Sequence, residues 1–384
     1  MTAKVNRHGP TRILGLFSEL GGVGGIQESG RLTALALRDI ARKNGWSTEF
    51  LTLNDSHGPQ VFRLNGTEVP YRGFGRSKMQ FVRRGLLASR KTQIILAAHP
   101  HLAVPAAQMK LVAPNCNVIT ISHGIEVWTP LPWFRRLMFR RSDLLLAPSR
   151  YTADKLIDRQ GVPADKVRRL PWPLSPEILR MAESRANLPL PPGFPEGLVV
   201  LSVARLDASE KYKGVDKLIE CTAHLRSAVP NLHLVVVGGG SDLARHTQLA
   251  RDLRVADCVH FFDKLSRAEI AACYARCDVF AMPSTGEGFG LVFLEAMAFE
   301  KPLIGAAAGG IPDVIEDGTN GFLVPTEDSF DGPAKLRQAM EKLLCEDYLR
   351  ATFGQRGGEI VRSKYAFDEF SSRLECTLRD CGLE

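Results

Sequence analysis

The sequence predicts an α/β protein made of two doubly wound, Rossmann-like domains that face each other across a central cleft. Three observations support this fold class. Short apolar runs alternate with helical patterns, the alternation stops in a segment rich in proline and glycine and then restarts, and the two halves carry opposite charge. A chain of 384 residues is also long for a single hydrophobic core.

The first predicted domain comprises residues 1–186. Its strands are expected where short apolar runs have the composition of buried parallel strands, at 12–18, 47–53, 93–99, 117–123 and 143–149. Helical patterns lie between these runs. The clearest covers residues 31–45 and predicts Gly45 as its C-cap.

Residues 187–197 hold four prolines and two glycines, which excludes regular structure and predicts an interdomain linker. The second predicted domain, 198–362, repeats the alternation. Its strands are expected around 197–206, 232–240, 258–262, 278–283 and 302–307, with helices around 214–229, 242–254, 266–276 and 290–300. The amphipathic segment 363–384 predicts a C-terminal helix that packs back on the first domain. Ligands of such sheets bind at the carboxyl ends of the strands, so the cleft is the expected site.

Charge and cysteine content restrict the function classes. The formal charge is +7, with 28 Lys and Arg against 13 Asp and Glu in residues 1–190 and 21 against 29 in the remainder. A basic half of this kind favours an anionic partner: a nucleic acid, an anionic membrane surface or a phosphate-bearing substrate. The eight cysteines form no C-x-x-C pair, the first residues lack the apolar core of a secretory signal, and no apolar run reaches roughly 18 residues. We therefore expect reduced thiols and a cytoplasmic protein.

Three loops carry candidate functional residues. The glycine-rich segment 19–30 follows the first strand and suits a phosphate at a helix N-terminus, or else it is only a tight turn. It lacks the acidic ribose partner of a dinucleotide fold, because Asp55 lies beyond the second strand. Arg205 and Lys213 flank a loop that ends in a helix, where they would stabilise a diphosphate leaving group, or else they are solvated surface cations. His123 ends a strand, where it is either catalytic or a structural hydrogen-bonding residue.

The segment 283–302 combines a glycine loop, a helix start and two carboxylates eight residues apart, Glu287 and Glu295. The helix start near Gly290 can bind an anion. Helical side chains lean toward the N-terminus, so Glu295 can reach neutral hydroxyls beside that anion. This combination is typical of a binding site for a nucleotide sugar, in which the two carboxylates would lie on either side of the phosphates.

These residues together resemble family 4 of the glycosyltransferases, which have the GT-B fold, and the match covers nearly the whole chain. It rests on the E-x7-E element, on Arg205 and Lys213-Gly214 upstream, and on residues 306–325 downstream. The resemblance implies that Arg205 and Lys213 bind the donor diphosphate. It also places Glu287 near the donor sugar, Glu295 at the ribose hydroxyls and His123 near C6 of the sugar. The other implied donor-binding residues are Gly24, Gly25, Lys264, Leu265, Phe289, Gly290, Leu291 and Val292.

The family is retaining and favours a front-face mechanism in which a substrate phosphate acts as the base. The chain has no D-x-D triplet, so no metal and no other cofactor is expected. Two assignments stay open. Lys211 is a rival for the role of Lys213, because the spacing from Arg205 is longer than usual. The pair Gly21-Gly22 competes with Gly24-Gly25 as the donor loop, and distance to the end of the following helix favours the second pair.

Two basic segments, 71–91 with seven cations and 133–141, interleave cations with apolar residues. They predict binding to an anionic membrane surface, or else they are solvated helix faces. We therefore expect a glycosyltransferase that acts on a saccharide or lipid-linked acceptor in cell-surface glycan synthesis, peripheral on the inner face of the membrane. Nucleic acid is not an expected partner. A nucleotide-sugar epimerase of the same architecture is the main alternative, ahead of a dinucleotide-dependent oxidoreductase and a non-catalytic sugar-nucleotide binder.

Overall fold

The computed structural model describes residues 11–22, 24–326 and 331–382. Within them the chain divides into two compact units, one formed by residues up to Pro173 together with those from Phe367 onward, and one formed by Leu174–Ala366. The ends of the predicted first domain and C-terminal helix, residues 1–10 and 383–384, lie outside the described residues.

The first unit is built on a sheet of eight strands in the order β3-β4-β2-β1-β5-β6-β7-β8, parallel except for the antiparallel pair β3 and β4. The strands are β1 Arg12–Phe17, β2 Ser47–Thr52, β3 Gly58–Leu64, β4 Thr67–Gly73, β5 Ile94–Ala97, β6 Asn117–Ile121, β7 Leu144–Ala147 and β8 Val167–Arg169. The helices are α1 Gly25–Lys43, α2 Lys78–Ser89, α3 Ala103–Val112, α4 Trp133–Arg140, α5 Arg150–Asp158 and α13 Phe367–Asp380.

Apolar side chains of the strands explain the layers of this unit. Leu14, Leu16 and Ile95 of the sheet pack with Phe81 of α2 and Met109 of α3 in one buried cluster. Helix α1 packs against α13, so the C-terminal helix belongs to this unit. The N-terminus of α1 lies at Gly25 rather than near residue 31. At the other end Asn44 is the C-cap, and Gly45 follows it with a φ of 69°, the left-handed conformation in which a glycine ends a helix.

The second unit is built on a six-stranded parallel sheet in the order β11-β10-β9-β12-β13-β14. Its strands are β9 Leu198–Val203, β10 Leu232–Val237, β11 Val259–Phe262, β12 Val279–Met282, β13 Leu303–Ala306 and β14 Gly321–Val324. Its helices are α6 Pro176–Glu183, α7 Val215–Leu225, α8 Leu243–Asp252, α9 Arg267–Arg276, α10 Leu291–Ala298, α11 Gly332–Cys345 and α12 Asp347–Lys364.

The boundary between the units differs from the predicted linker. It falls between Pro173 and Leu174, ahead of 187–197. The reason is that α6, which follows this boundary, packs against α9 and α10, and Glu177 pairs with Arg267 at 3.0 Å. Residues 188–197 contain no helix or strand, as their proline content predicts, but they lie inside the second unit.

Candidate functional site

The sheet order of the second unit creates a topological switch point between β9 and β12. The chain runs outward from β9 to β10 and β11, then returns to pair β12 with the other side of β9. Loops that leave neighbouring strands in opposite directions open a crevice at the carboxyl edge of a parallel sheet. The loops after β9 and β12 at this crevice hold Arg205, Lys213 and Glu287, three of the predicted site residues.

Lys213 and Glu287 are in direct contact, although 74 positions separate them. The ammonium group of Lys213 donates to Oε1 of Glu287, and both side chains are largely buried. Burial alone would lower the pKa of Lys213, but the adjacent Glu287 carboxylate outweighs burial and raises this pKa above its ordinary value. Lys213 therefore stays charged, whereas the rival Lys211 is exposed.

Gly214 explains how Lys213 reaches this position. The segment Ala208–Lys213 forms a 3₁₀ turn, and Gly214 ends it in the left-handed conformation, with φ of 75°. A Cβ atom at Gly214 would lie 2.8 Å from the carbonyl oxygen of Pro283. Only glycine allows the start of α7 to approach the β12 loop so closely.

Arg205 lies at the end of β9 and is mostly exposed, and its guanidinium contacts Oε1 of Glu210 in the 3₁₀ turn. Behind the loop, Arg245 of α8 binds Asp216 in the first turn of α7 and also Asp242. Hydrogen bonds from His246 and Arg245 lower the pKa of Asp216. This network joins the starts of α7 and α8, which are the two helices that follow β9 and β10.

Glu295 lies in α10, whose N-cap Gly290 has a φ of 94°. Its Oε2 accepts a hydrogen bond of 2.9 Å from the hydroxyl of Tyr274 in α9. Tyr274 is fully buried and stacks on Phe299. Burial, together with the Glu295 carboxylate, raises the pKa of Tyr274 well above 10, so the hydroxyl remains a donor.

The remaining predicted donor residues of this unit occupy the same edge of the sheet. Leu291 and Val292 form the first turn of α10, while the side chain of Phe289 is buried against Tyr365. Lys264 and Leu265 follow β11, an edge strand of the sheet, and Lys264 has a positive φ of 58°.

In the first unit, Asp55 occupies part of the glycine-rich loop. Its carboxylate accepts hydrogen bonds from the backbone N–H groups of Leu20 and Gly21, at 2.8 and 3.0 Å. Gly24 and Gly25 instead form the N-cap and first residue of α1. Because Asp55 already uses the Gly21 amide, this geometry favours Gly24-Gly25 over Gly21-Gly22 as an anion-binding pair.

His123 follows β6 and belongs to a stack of aromatic rings. Its Nε2 donates to the carbonyl of Ala98 at 2.7 Å, which leaves Nδ1 as the unprotonated nitrogen. The ring stacks between His99 and Trp172. Burial lowers the pKa of His123, and it lowers the pKa of His99 to about 2, so both imidazoles are neutral at physiological pH.

Sequence reasoning missed several residues of this arrangement. Glu210, Tyr274 and Asp216 each contact a predicted site residue or the helix that carries it, but a tertiary partner leaves no periodic signal in the sequence. The motif His99-Pro100-His101 did carry a signal, because it stands at the carboxyl end of a predicted strand. Among the described residues, no cluster of three or more His, Cys, Asp or Glu side chains could hold a metal ion.

Family models match both units. Residues 32–177 match the model described as Glycosyltransferase Family 4, and residues 191–359 match the model described as Glycosyl transferases group 1.

Two curated relatives illustrate the similarity in sequence. The chain is 31% identical, over 71% of its length and 74% of the relative's, to a GDP-mannose-dependent alpha-(1-6)-phosphatidylinositol monomannoside mannosyltransferase of Mycobacterium tuberculosis. It is 33% identical to a D-inositol 3-phosphate glycosyltransferase of Stackebrandtia nassauensis, over 58% of this chain and 52% of that protein.

Solved structures of similar fold include Anabaena HepE in complex with UDP, with a TM-score of 0.73, 20% identity, and coverage of 96% of this chain and 100% of the other. A sucrose-phosphate synthase of Thermosynechococcus elongatus gives a TM-score of 0.74 at 21% identity, with coverage of 96% and 98%. At these identities the likeness concerns the fold.

Proposed function

The chain belongs to family 4 of the glycosyltransferases, and from this premise we propose a retaining, metal-independent transfer of a hexose to a saccharide or lipid-linked saccharide in cell-surface glycan synthesis. The protein has the GT-B fold and is a hexosyltransferase that uses a nucleotide sugar. GDP-mannose is the donor we propose first, because a relative of 31% identity is described as GDP-mannose-dependent. A UDP-linked hexose is the second candidate.

The contact between Lys213 and Glu287 is the observation that carries this proposal. It brings a charged ammonium group and the first acid of the E-x7-E element together at the carboxyl edge of the sheet. In our proposal, Lys213 and Arg205 bind the diphosphate and stabilise the charge that grows as the glycosidic bond breaks. Glu287 orients the sugar, and Glu295, held by Tyr274, accepts hydrogen bonds from the ribose.

Lys213, Arg205 and the N–H groups of Leu291 and Val292 can supply the positive potential that a metal ion provides elsewhere. For the chemical step we propose that a phosphate oxygen of the donor accepts the proton of the incoming hydroxyl. His123 is neutral and its Nε2–H is bonded to Ala98, so we assign it a role in positioning the sugar. The products are a nucleoside diphosphate and a glycoside of unchanged anomeric configuration.

A donor panel tests the reaction class. The protein is incubated with GDP-mannose, GDP-fucose, UDP-glucose and UDP-galactose, with EDTA or with Mg²⁺, and nucleoside diphosphate release is followed. We expect release from one donor at equal rates in both conditions, and NMR of the glycoside formed with an accepted acceptor should show retention. Isomerised donor without nucleotide release would support the epimerase instead, and dependence on Mg²⁺ would overturn metal independence.

We also propose that the first unit binds an anionic membrane surface through α2, α3 and α4, which pack side by side. Apolar side chains on these helices are largely exposed: Met79 by 81%, Leu87 by 52%, Leu111 by 75% and Trp133 by 74%. Exposed cations surround them, and a groove of about 600 Å³ beside α2 is lined by both kinds of side chain. Apolar insertion with flanking cations favours anionic lipid.

Vesicle sedimentation tests the membrane proposal. We expect binding to vesicles that contain phosphatidylglycerol, weaker binding at high salt, and a several-fold loss in Trp133→Ala. The matched control is Tyr348→Ala, which removes an 85% exposed aromatic side chain from the second unit. Binding that is indifferent to anionic lipid and to salt would refute the proposal. Among the described helices, none is long and apolar enough to cross a membrane.

A further inference from the structure

Glu210 holds one of the two cations that we assign to the donor diphosphate. Its Oε1 contacts the guanidinium of Arg205, whose side chain is 72% exposed, whereas the side chain of Glu210 is only 11% exposed. Glu210 is also the one residue of the 3₁₀ turn with non-helical backbone angles. The carboxylate is therefore the buried member of the pair, and the guanidinium is the exposed one.

The second carboxylate oxygen of Glu210, Oε2, is buried and has no hydrogen-bond partner in the parts of the chain that the structure describes. A buried acceptor without a partner is destabilising, and more so when it is charged. The carboxylate is thus incompletely satisfied by Arg205. A residue whose main role was to fix the arginine would use both oxygens in a bidentate pair, as Asp257 does with Arg226.

We propose that Glu210 is an internal competitor for the donor diphosphate and a determinant of donor affinity. In the unliganded protein it occupies Arg205, and a ligand must provide enough negative charge at this position to draw the guanidinium away. A nucleoside diphosphate does so, while a nucleoside monophosphate does so less well. Glu210 thereby weakens binding of every phosphate ligand that engages Arg205, and it weakens binding of diphosphates, which engage Arg205 fully, more than that of monophosphates.

Lys213 has a different environment, because its partner Glu287 belongs to the E-x7-E element and faces the sugar in our proposal. Glu210 belongs to no such element. It lies between Arg205 and Lys213 in the sequence, so an acid stands between the two cations.

This inference rests on the proposed function, in which Arg205 binds the diphosphate. Calorimetry can separate the two. Dissociation constants for GDP, GMP, UDP and UMP are measured with the wild type, Glu210→Gln and Arg205→Ala. Glu220→Gln is the matched control, because it removes an exposed carboxylate from α7 in the same unit.

We expect Glu210→Gln to bind the preferred nucleoside diphosphate about fivefold more tightly, the size of effect that an exposed ion pair can have. The monophosphate should change by a smaller factor, and Glu220→Gln should match the wild type. Unchanged or weaker diphosphate binding by Glu210→Gln would overturn the inference, and weaker binding would make Glu210 a positioning residue. If Glu210→Gln does not fold, Glu210→Ala answers the same question.

Arg205→Ala separates a failure of the proposed role of Arg205 from a failure of the proposed role of Glu210. If it leaves diphosphate affinity unchanged, the assignment of Arg205 in the proposed function fails. If it weakens diphosphate binding while Glu210→Gln does not strengthen it, only the role of Glu210 fails.

Discussion

The hydrogen bond from Tyr274 to Glu295 provides the sharpest test of how the E-x7-E element is held. Tyr274→Phe removes one hydroxyl group and keeps the ring, which is fully buried and stacks on Phe299 with centroids 5.9 Å apart. The change therefore leaves the packing intact. Glu295 loses the donor that holds its Oε2 at 2.9 Å.

The expected loss of stability follows from the partner of the hydroxyl, which is the carboxylate of Glu295. A hydrogen bond to a charged group contributes about 1.5–3 kcal/mol to stability, and we expect a loss of this size in the free energy of unfolding. If half of the lower value is also lost from donor binding, because Glu295 is oriented less well toward the ribose, KM for the donor rises about threefold to fourfold. The value of kcat should change little, because the ribose is remote from the bond that breaks.

The assay compares Tyr274→Phe with Tyr365→Phe, a second tyrosine of the same unit. The hydroxyl of Tyr365 donates to the backbone carbonyl of Asp313 at 2.6 Å, so its loss should reduce stability without raising KM. Urea unfolding gives the stability of both variants, and steady-state kinetics give KM and kcat. Reduced stability of Tyr274→Phe with an unchanged KM would show that Glu295 does not depend on Tyr274 to bind the donor.

Two further predictions concern the first unit. Asp55→Ala removes the acceptor of the Leu20 and Gly21 amides and should lower the free energy of unfolding, measured in urea, by about 2 kcal/mol. The control Asp39→Ala, at an exposed ion pair, should lower it by less than about 1 kcal/mol. Equal losses in the two variants would contradict the role of Asp55. Burial lowers the pKa of His99 to about 2, whereas the pKa of this histidine in the unfolded chain is about 6.5. Below about pH 6.5 the unfolded state therefore binds more protons than the folded state. The free energy of unfolding should fall there as the pH drops, by about 2 kcal/mol at pH 5. His99→Gln should lack this part of the pH dependence in urea unfolding between pH 5 and 8, and parallel profiles would contradict it.

The strands that the sequence predicted well are those buried on both faces. Residues 93–99 and 143–149 contain β5 and β7, whose described residues are all buried, and such strands read as continuous apolar runs. The hairpin of β3 and β4 was missed because its buried and exposed residues alternate. The turn signal Asn65-Gly66 was present, and both residues have the positive φ of a tight hairpin turn.

The first turns of α1 were not predictable from periodicity. Residues 25–30 are rich in glycine and polar side chains, which favour a loop. Tertiary contacts override this preference, since Arg31 donates to the carbonyls of Leu20 and Gly22 and pairs with Glu28. The boundary between the units was misplaced for the same reason, because the packing of α6 on α9 and α10 leaves no local pattern.

In the candidate site, too, residues of a sequence motif were predictable, whereas the partners that the fold brings to them were not. Arg205, Lys213, Glu287 and Glu295 were predicted as site residues because a motif spans them in the sequence. Their partners Glu210 and Tyr274 were not found, since a lone carboxylate in a polar turn and a tyrosine in a helix fit many environments. The choice between Lys211 and Lys213 also required side-chain burial and contact with Glu287, which spacing does not reveal.

In the proposed reaction, Lys213, in contact with Glu287, stabilises the departing diphosphate without a metal ion. The most direct measurement is the rate of nucleoside diphosphate release from the accepted donor in EDTA, compared between Lys213→Ala and Lys211→Ala. The two changes remove the same side chain from the same turn, one buried against Glu287 and one exposed. We expect Lys213→Ala to lower kcat about 100-fold or more and Lys211→Ala to leave it within about twofold. Full activity in Lys213→Ala, or an equal loss in both variants, would contradict this role of Lys213.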